Sequence, residues 1–145
     1  MAITTNAICN SFKKELLQAD HNFDTAGNSG NKFKLALYTS TATLGKSTTS
    51  FTTGSEVSSS GYTSGGKALV NTGTSLSVNT AITNYSNLSF TGVTLTARGA
   101  LIYNTSNSNT AVCVLDFGGD KTATAGTFTV QFPAFTSTAA ILRIS

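Results

Sequence analysis

Charge is what this chain has least of. Only 10% of its 145 residues are Asp, Glu, Lys or Arg, and the net charge of +3 rests on nine Lys and Arg spread from Lys13 to Arg143. A nucleic-acid footprint needs a clustered basic face. No basic run exceeds Lys13-Lys14, so nucleic acid is not an expected partner, although folding could gather Lys32, Lys34, Lys46 and Lys67. Tryptophan is absent and Pro133 is the only proline. Cys9 and Cys113 are too few for a disulfide framework; each sits in an apolar pattern, where buried reduced thiols are expected. No apolar run approaches the roughly 20 residues that cross a bilayer. The opening M-A-I-T-T-N-A has neither the basic region nor the apolar core of a secretory signal. A protein soluble where it is made, with no membrane partner, is the expectation.

In place of charge the chain carries 26 Thr, 18 Ser and 12 Asn beside 13 Gly. Thr suits a half-buried pleated surface, and Asn and Gly supply the positive-φ positions of turns. With 39% hydrophobic residues, the chain is long enough to bury one core without staples. We read residues 1–145 as a single, mainly β domain, an antiparallel β-sandwich or jelly-roll-like fold with one N-terminal α-helix.

The organising stretch runs from Ala97 to Gly119, where A-L-I-Y-N and A-V-C-V-L-D-F flank a loop of Thr, Ser and Asn. Both runs are too continuous to have a wetted face, which predicts a central hairpin covered on both sides. Ahead of it, Ile8, Phe12 and Leu16 at four-residue spacing predict a helix over about 6–19, capped by Thr4, Thr5 or Asn6. Asp20 to Asn31 reads as a polar loop. Phe33, Leu35 and Leu37 alternate with Lys34, Ala36 and Tyr38, the pattern of a strand with one buried face. From about 40 to 66 the chain loses apolar residues, predicting a long Ser/Thr-rich excursion with at most one weak strand, docked through Phe51 and Tyr62. The sheet core then occupies about 67–145. It contains short strands near 68–70, 75–78, 88–90 and 93–96, a turn at G-D-K-T-A-T-A-G, a strand over 127–132 and a terminal apolar strand.

Few residues suggest chemistry. Gly61 to Lys67 satisfies the G-x-x-x-x-G-K spacing of a phosphate loop, but Ala68 stands where a Ser or Thr should hold Mg²⁺, and the flanking strand and helix are missing. A glycine-rich turn into a strand is the better reading. His21, the one histidine, lies between Asp20 and Asp24; a metal site would lack further His or Cys ligands, so a helix-end histidine is favoured. Asp116, Asp120 and Glu56 could form a carboxylate pair, yet nothing in the sequence brings two together. Asp116-Phe117-Gly118 echoes the kinase metal-binding triplet without the rest of that signature, and no G-x-S-x-G is present. No catalytic, cofactor-binding or metal-ligating residue is assigned, and no cofactor is expected. Phe12, Leu16, Leu101, Ile102, Leu115 and Phe128 are the expected core anchors. Arg98, embedded in the central apolar stretch, should be paired or reach an interface. Arg98, Phe51 and Tyr62 are therefore the candidate interface residues.

Several blocks carry a resemblance beyond composition. C-N-S-F-K-K-E-L-L, K-F-K-L-A-L-Y-T-S-T-A-T-L, E-V-S-S-S-G-Y-T-S-G-G, T-A-R-G-A-L-I-Y-N, V-L-D-F-G-G-D and F-T-V-Q-F-P-A, in that order from Ile3 to Ile144, resemble a family of small virion proteins of tailed bacteriophages. The resemblance implies a non-enzymatic part of the particle, in first place a capsid decoration or cement protein. Such a protein would associate with itself as a symmetric homo-oligomer, perform its work on the virion after synthesis in the host cytoplasm, and contact the major capsid protein or another virion protein. A neck, tail or head-fibre component is the second expectation; the chain has no internal repeat, which counts against a fibre. A carbohydrate-binding adsorption module, stacking sugars on Tyr62, Tyr85 or Phe51, is the third.

Overall fold

The computed structural model describes residues 3–25 and 30–145; positions 26–29, inside the loop expected from Asp20 to Asn31, lie outside the described residues. In chain order the elements are β1 (Ala7–Ile8), α1 (Asn10–Leu17), β2 (Phe33–Tyr38), β3 (Lys67–Ala68), β4 (Asn71–Ser77), β5 (Thr80–Tyr85), β6 (Leu88–Asn104), β7 (Thr110–Val130) and β8 (Leu142–Ile144). They build two antiparallel sheets, ordered β1-β7-β6-β2-β3 and β4-β5-β8. The expected mainly β sandwich with one short helix near the N-terminus is what forms.

The expected hairpin is there, but longer. β6 and β7 run side by side from Leu88/Val130 to Asn104/Thr110, so the separate strands expected at 88–90 and 93–96 are one with the central run. Register shifts between Phe90 and Gly99 absorb the irregularities. Bulges of this kind let a chain stay in the ladder while it bends. For the same reason the turn expected at G-D-K-T-A-T-A-G is continuous strand, with Gly118 and Ala125 at positive φ. Sequence reading also missed β5, whose Ala81-Ile82-Thr83 passed for part of a turn-rich stretch; it is the middle strand of the small sheet.

The helix is shorter than the periodicity implied. Ala7 and Ile8 are taken by β7, opposite Val114 and Cys113, so helical geometry starts only at Asn10. The N-cap is Cys9, without a side-chain cap, and Asn6 instead accepts the Asp116 N–H at 2.6 Å. At the other end Ala19 N–H bonds to Leu16 O at 3.2 Å and Asp20 N–H to Glu15 O at 2.9 Å, with Ala19 at φ 62°. That is a Schellman closure using alanine where glycine is usual.

β2 differs from expectation in being buried on both faces. Register places Phe33, Leu35 and Leu37 opposite Asn104, Ile102 and Ala100, and Lys34, Ala36 and Tyr38 opposite Tyr103, Leu101 and Gly99. The first face meets the helix and the small sheet. Phe33 stacks on Phe23 with ring centroids 4.8 Å apart and meets Tyr85 of β5 edge-on at 5.8 Å. The second face is covered by the excursion, whose Phe51 stacks on Tyr103 at 4.7 Å and whose Ala42, Leu44 and Val57 are buried. The excursion forms no strand of its own, only bridges at Tyr38↔Glu56 and Ser50↔Thr110. It nevertheless satisfies the open edge of β2: Val57 N–H bonds to Leu37 O and Thr39 N–H to Ser55 O. An uncovered edge would leave those groups as a template for foreign strands.

Of the expected anchors, Phe12, Leu101, Ile102 and Phe128 are buried. Leu16 and Leu115 are only half-buried against the core, so these two were placed too deep. Gly99 marks the tightest packing. A Cβ there would collide with the Leu115 carbonyl oxygen and with the Ile3 side chain, so glycine lets the N-terminal segment lie flat on the hairpin.

Candidate interaction surfaces

Glu56, His21 and Arg98, three of the polar side chains that could have carried chemistry, are held by bonds within the chain, whereas Asp120 is exposed on β7. Glu56 projects from the excursion into the Gly61–Lys67 loop. Its Oε1 accepts from the Tyr62 hydroxyl at 2.8 Å and the Gly65 N–H at 2.6 Å, and its Oε2 accepts from the Ser64 hydroxyl at 2.8 Å. The loop that resembles a phosphate cradle thus holds a carboxylate of its own chain. Its second glycine serves packing: Gly66 has φ 75°, and a Cβ would strike the Leu35 carbonyl oxygen. Lys67, which a phosphate loop would aim at the nucleotide, donates to Ser89 O at 2.6 Å.

Two of the three candidate interface residues belong to this arrangement. Tyr62 accepts the Leu37 N–H at 2.9 Å while donating to Glu56, and its ring lies 5.7 Å from that of Phe90. Phe51 is held on Tyr103, whose hydroxyl donates to Gly65 O at 2.6 Å. Both rings dock the excursion onto the sheet. The third, Arg98, is paired: Nε and Nη2 donate to Ile3 O at 3.1 and 2.9 Å, and Nη2 lies 3.2 Å from Asp116 Oδ1. It pins the N-terminal segment to the hairpin where the register shifts, so all three side chains are engaged within the chain.

His21 follows the helix end as expected, but it lies inside the protein. Its side chain is fully buried, with Nε2 2.7 Å from Glu15 Oε2 and Nδ1 3.0 Å from Asn104 Nδ2. Asn104 Oδ1 accepts the Ser106 N–H, so its amide nitrogen faces the ring and donates both to His21 Nδ1 and to Asn31 Oδ1. Nδ1 is then the acceptor, and Nε2 carries the proton toward Glu15. This network ties the 20–31 loop to the end of β6, which sequence spacing gave no way to see. Among the described residues, no group of three or more His, Cys, Asp or Glu gathers to hold a metal ion.

Burial raises the pKa of Tyr38, Tyr62, Tyr85 and Tyr103 above the ordinary value of about 10. The Glu56 charge adds to the rise at Tyr38, Tyr62 and Tyr103. A phenol whose folded pKa lies above its unfolded one contributes stability fully present below about pH 10 and lost as pH climbs toward the folded value. These are all four tyrosines of the chain. Absorbance at 295 nm should therefore show no phenolate until the protein unfolds cooperatively above about pH 10; a gradual titration centred there in folded protein would contradict the packing. Desolvation likewise pushes the Cys9 thiol up to about 11 and raises that of Cys113, so both buried free cysteines should resist thiol reagents.

Two exposed surfaces stand out. Beyond Asp116, β6 is the only strand paired with β7 among the described residues, and this ribbon exposes Thr91, Thr94, Thr96, Thr122, Thr124, Thr127 and Thr129. Cross-strand hydroxyl pairs join Ser89 to Thr129 at 3.0 Å and Thr96 to Thr122 at 2.9 Å. The second is apolar: a cleft of about 710 Å³ between α1 and the small sheet, with Phe12, Leu16 and Leu17 on one wall and Ala81, Leu142 and Ile144 on the other. Leu17 was the one signal in the sequence, an apolar residue off the helix's buried stripe.

The comparisons with known proteins add no relative: no protein-family model matches the chain, and no curated protein or solved structure is significantly similar to it.

Proposed function

We propose that this protein is a non-enzymatic structural component of a tailed-phage particle, a decoration protein that lies on the capsid, associates with itself and contacts the major capsid protein. The observation that carries this reading is the distribution of polar groups. Glu56, His21 and Arg98 are consumed by internal bonds, while the surface offers a hydroxyl-covered ribbon with little charge and an apolar cleft. Such surfaces suit extended, hydrogen-bonded contact with other protein. The resemblance of its sequence blocks to small virion proteins points the same way.

The aromatic positions weigh against a sugar platform built from the expected residues. Tyr85 is 2% exposed, and Phe51 and Tyr62 face the sheet. Stacking on a pyranose needs an open ring face.

Quantitative mass spectrometry on heads and tails separated from particles of the encoding phage tests the proposal. The expected outcome is recovery with heads at a copy number comparable to the major capsid protein. A few copies with the connector or tail would replace decoration by a neck or tail role, and absence from both fractions would refute a virion function.

A further inference from the structure

The apolar cleft continues into a row of protruding side chains. In the small sheet Leu76 is the cross-strand partner of Ala81, and Ala81 of Ile144, so the three form one line across β4, β5 and β8. By alternation this line shares the sheet face that carries Thr83 and Tyr85, the core-facing side, but it runs past the edge of the core. Leu76 is 72% and Ile144 60% exposed, and across the cleft Leu17 is 91% and Ile8 37% exposed. Two residues beyond Leu76, at the tip of the β4–β5 hairpin, Val78 is 87% exposed. Val78 has φ 56°, a conformation that a β-branched residue adopts only at a cost. An isopropyl group is thus held in water, at a turn position that glycine would fill without strain.

We infer that this face is where a second copy of the chain docks, about a two-fold axis. Two features favour a copy over a small apolar ligand. The face carries a hollow and protruding knobs together. A small ligand would fill the hollow and leave Leu76 and Val78 in water, whereas a copy brings its own knobs to the hollow and covers them. The area also fits. The exposed surface of Ile8, Leu17, Leu76, Val78 and Ile144 is about 600 Å² per copy, so two copies face to face would cover about 1,200 Å², the lower edge of specific stable interfaces. A two-fold contact uses the same patch on both partners, which this arrangement supplies.

The inference rests on the structural reading above in taking contact as the work of this surface, but the test uses the purified 145-residue chain alone. Sedimentation velocity and light scattering at about 100 µM should give twice the 14.9 kDa chain mass. Leu17→Lys and Ile144→Lys each alter an exposed side chain, and each should weaken association at least about tenfold with an unchanged circular dichroism spectrum. Val70→Lys should leave association unchanged; Val70 is 65% exposed and lies six residues, about 20 Å, along the chain from Leu76. A wild-type monomer, an assembly of another number, or a dimer that neither Leu17→Lys nor Ile144→Lys weakens would each overturn the inference. Those results leave the copy number on heads unaffected, and absence from heads would leave the dimer standing, so the two failures are distinguishable.

Discussion

Replacing Phe33 with alanine should lower the stability by about 3–5 kcal/mol, the range for truncating a buried aromatic ring. In a domain of this size that is a fall in melting temperature on the order of 10 °C. Phe33 is 2% exposed and stands where three parts of the fold meet. Its ring lies parallel to Phe23 of the 20–31 loop, 7° between planes, and edge-on to Tyr85 of the small sheet. Phe23 in turn meets Phe12 of α1 at 6.0 Å, and Tyr85 meets Phe132 at 5.6 Å. Neighbouring backbone on the main sheet is held by the β2–β6 ladder, so the cavity left by the ring could close only poorly. Thermal unfolding followed by circular dichroism measures the effect. A loss below about 1 kcal/mol would mean that the two sheets do not share a core at this ring.

Glu56→Ala should cost about 2–3 kcal/mol, from the loss of a charged acceptor and the stranding of partly buried donors. The Tyr62 hydroxyl, Ser64 hydroxyl and Gly65 N–H would all lose their partner at once. Loosening should reach the β2 edge, because Tyr62 also accepts the Leu37 N–H and Val57 N–H bonds to Leu37 O. Hydrogen exchange should therefore quicken at Leu37, Val57 and Gly65 while the β6–β7 ladder stays protected. Unaltered exchange at all three amides would show that the excursion is held by Phe51 and the buried aliphatic side chains without Glu56. The wild-type arrangement explains why a Ser- and Thr-rich stretch with so few apolar residues folds at all. It borrows the sheet's second face for its few hydrophobic anchors and uses one carboxylate to organise the rest.

The class of fold was legible in the chain because β-propensity, turn chemistry and alternation are local signals. Ala100 to Asn104 and Ala111 to Val114 are buried throughout, as their unbroken apolar pattern implied. The candidate site was legible only in part. That Arg98 would be paired or reach an interface could be read from one charge in an apolar run; that it is paired, with Asp116 and the Ile3 carbonyl, could not. Phe51 and Tyr62 were visible as anchors, but not the direction in which they point.

Composition and periodicity by themselves determined that this protein is one β-rich domain with a short helix, a central hairpin and a polar excursion, since each of those depends on residues close in sequence. Tertiary structure decided everything that depends on which distant backbones meet. It ended the helix's claim on Ala7 and Ile8 by pairing them with β7, merged five expected strands into two long ones through bulges, and buried one face of β2 under the aromatic cluster of Phe23 and Tyr85 and the other under the excursion. It also filled the phosphate-like loop with Glu56 and turned Phe51 and Tyr62 onto the sheet, while hydroxyls and the Leu17–Ile144 face stayed outside. The physical reason is common to all of these: a side chain's local preference names the element it suits, whereas burial, hydrogen-bond partners and exposure are set by segments tens of residues away that only packing brings into contact.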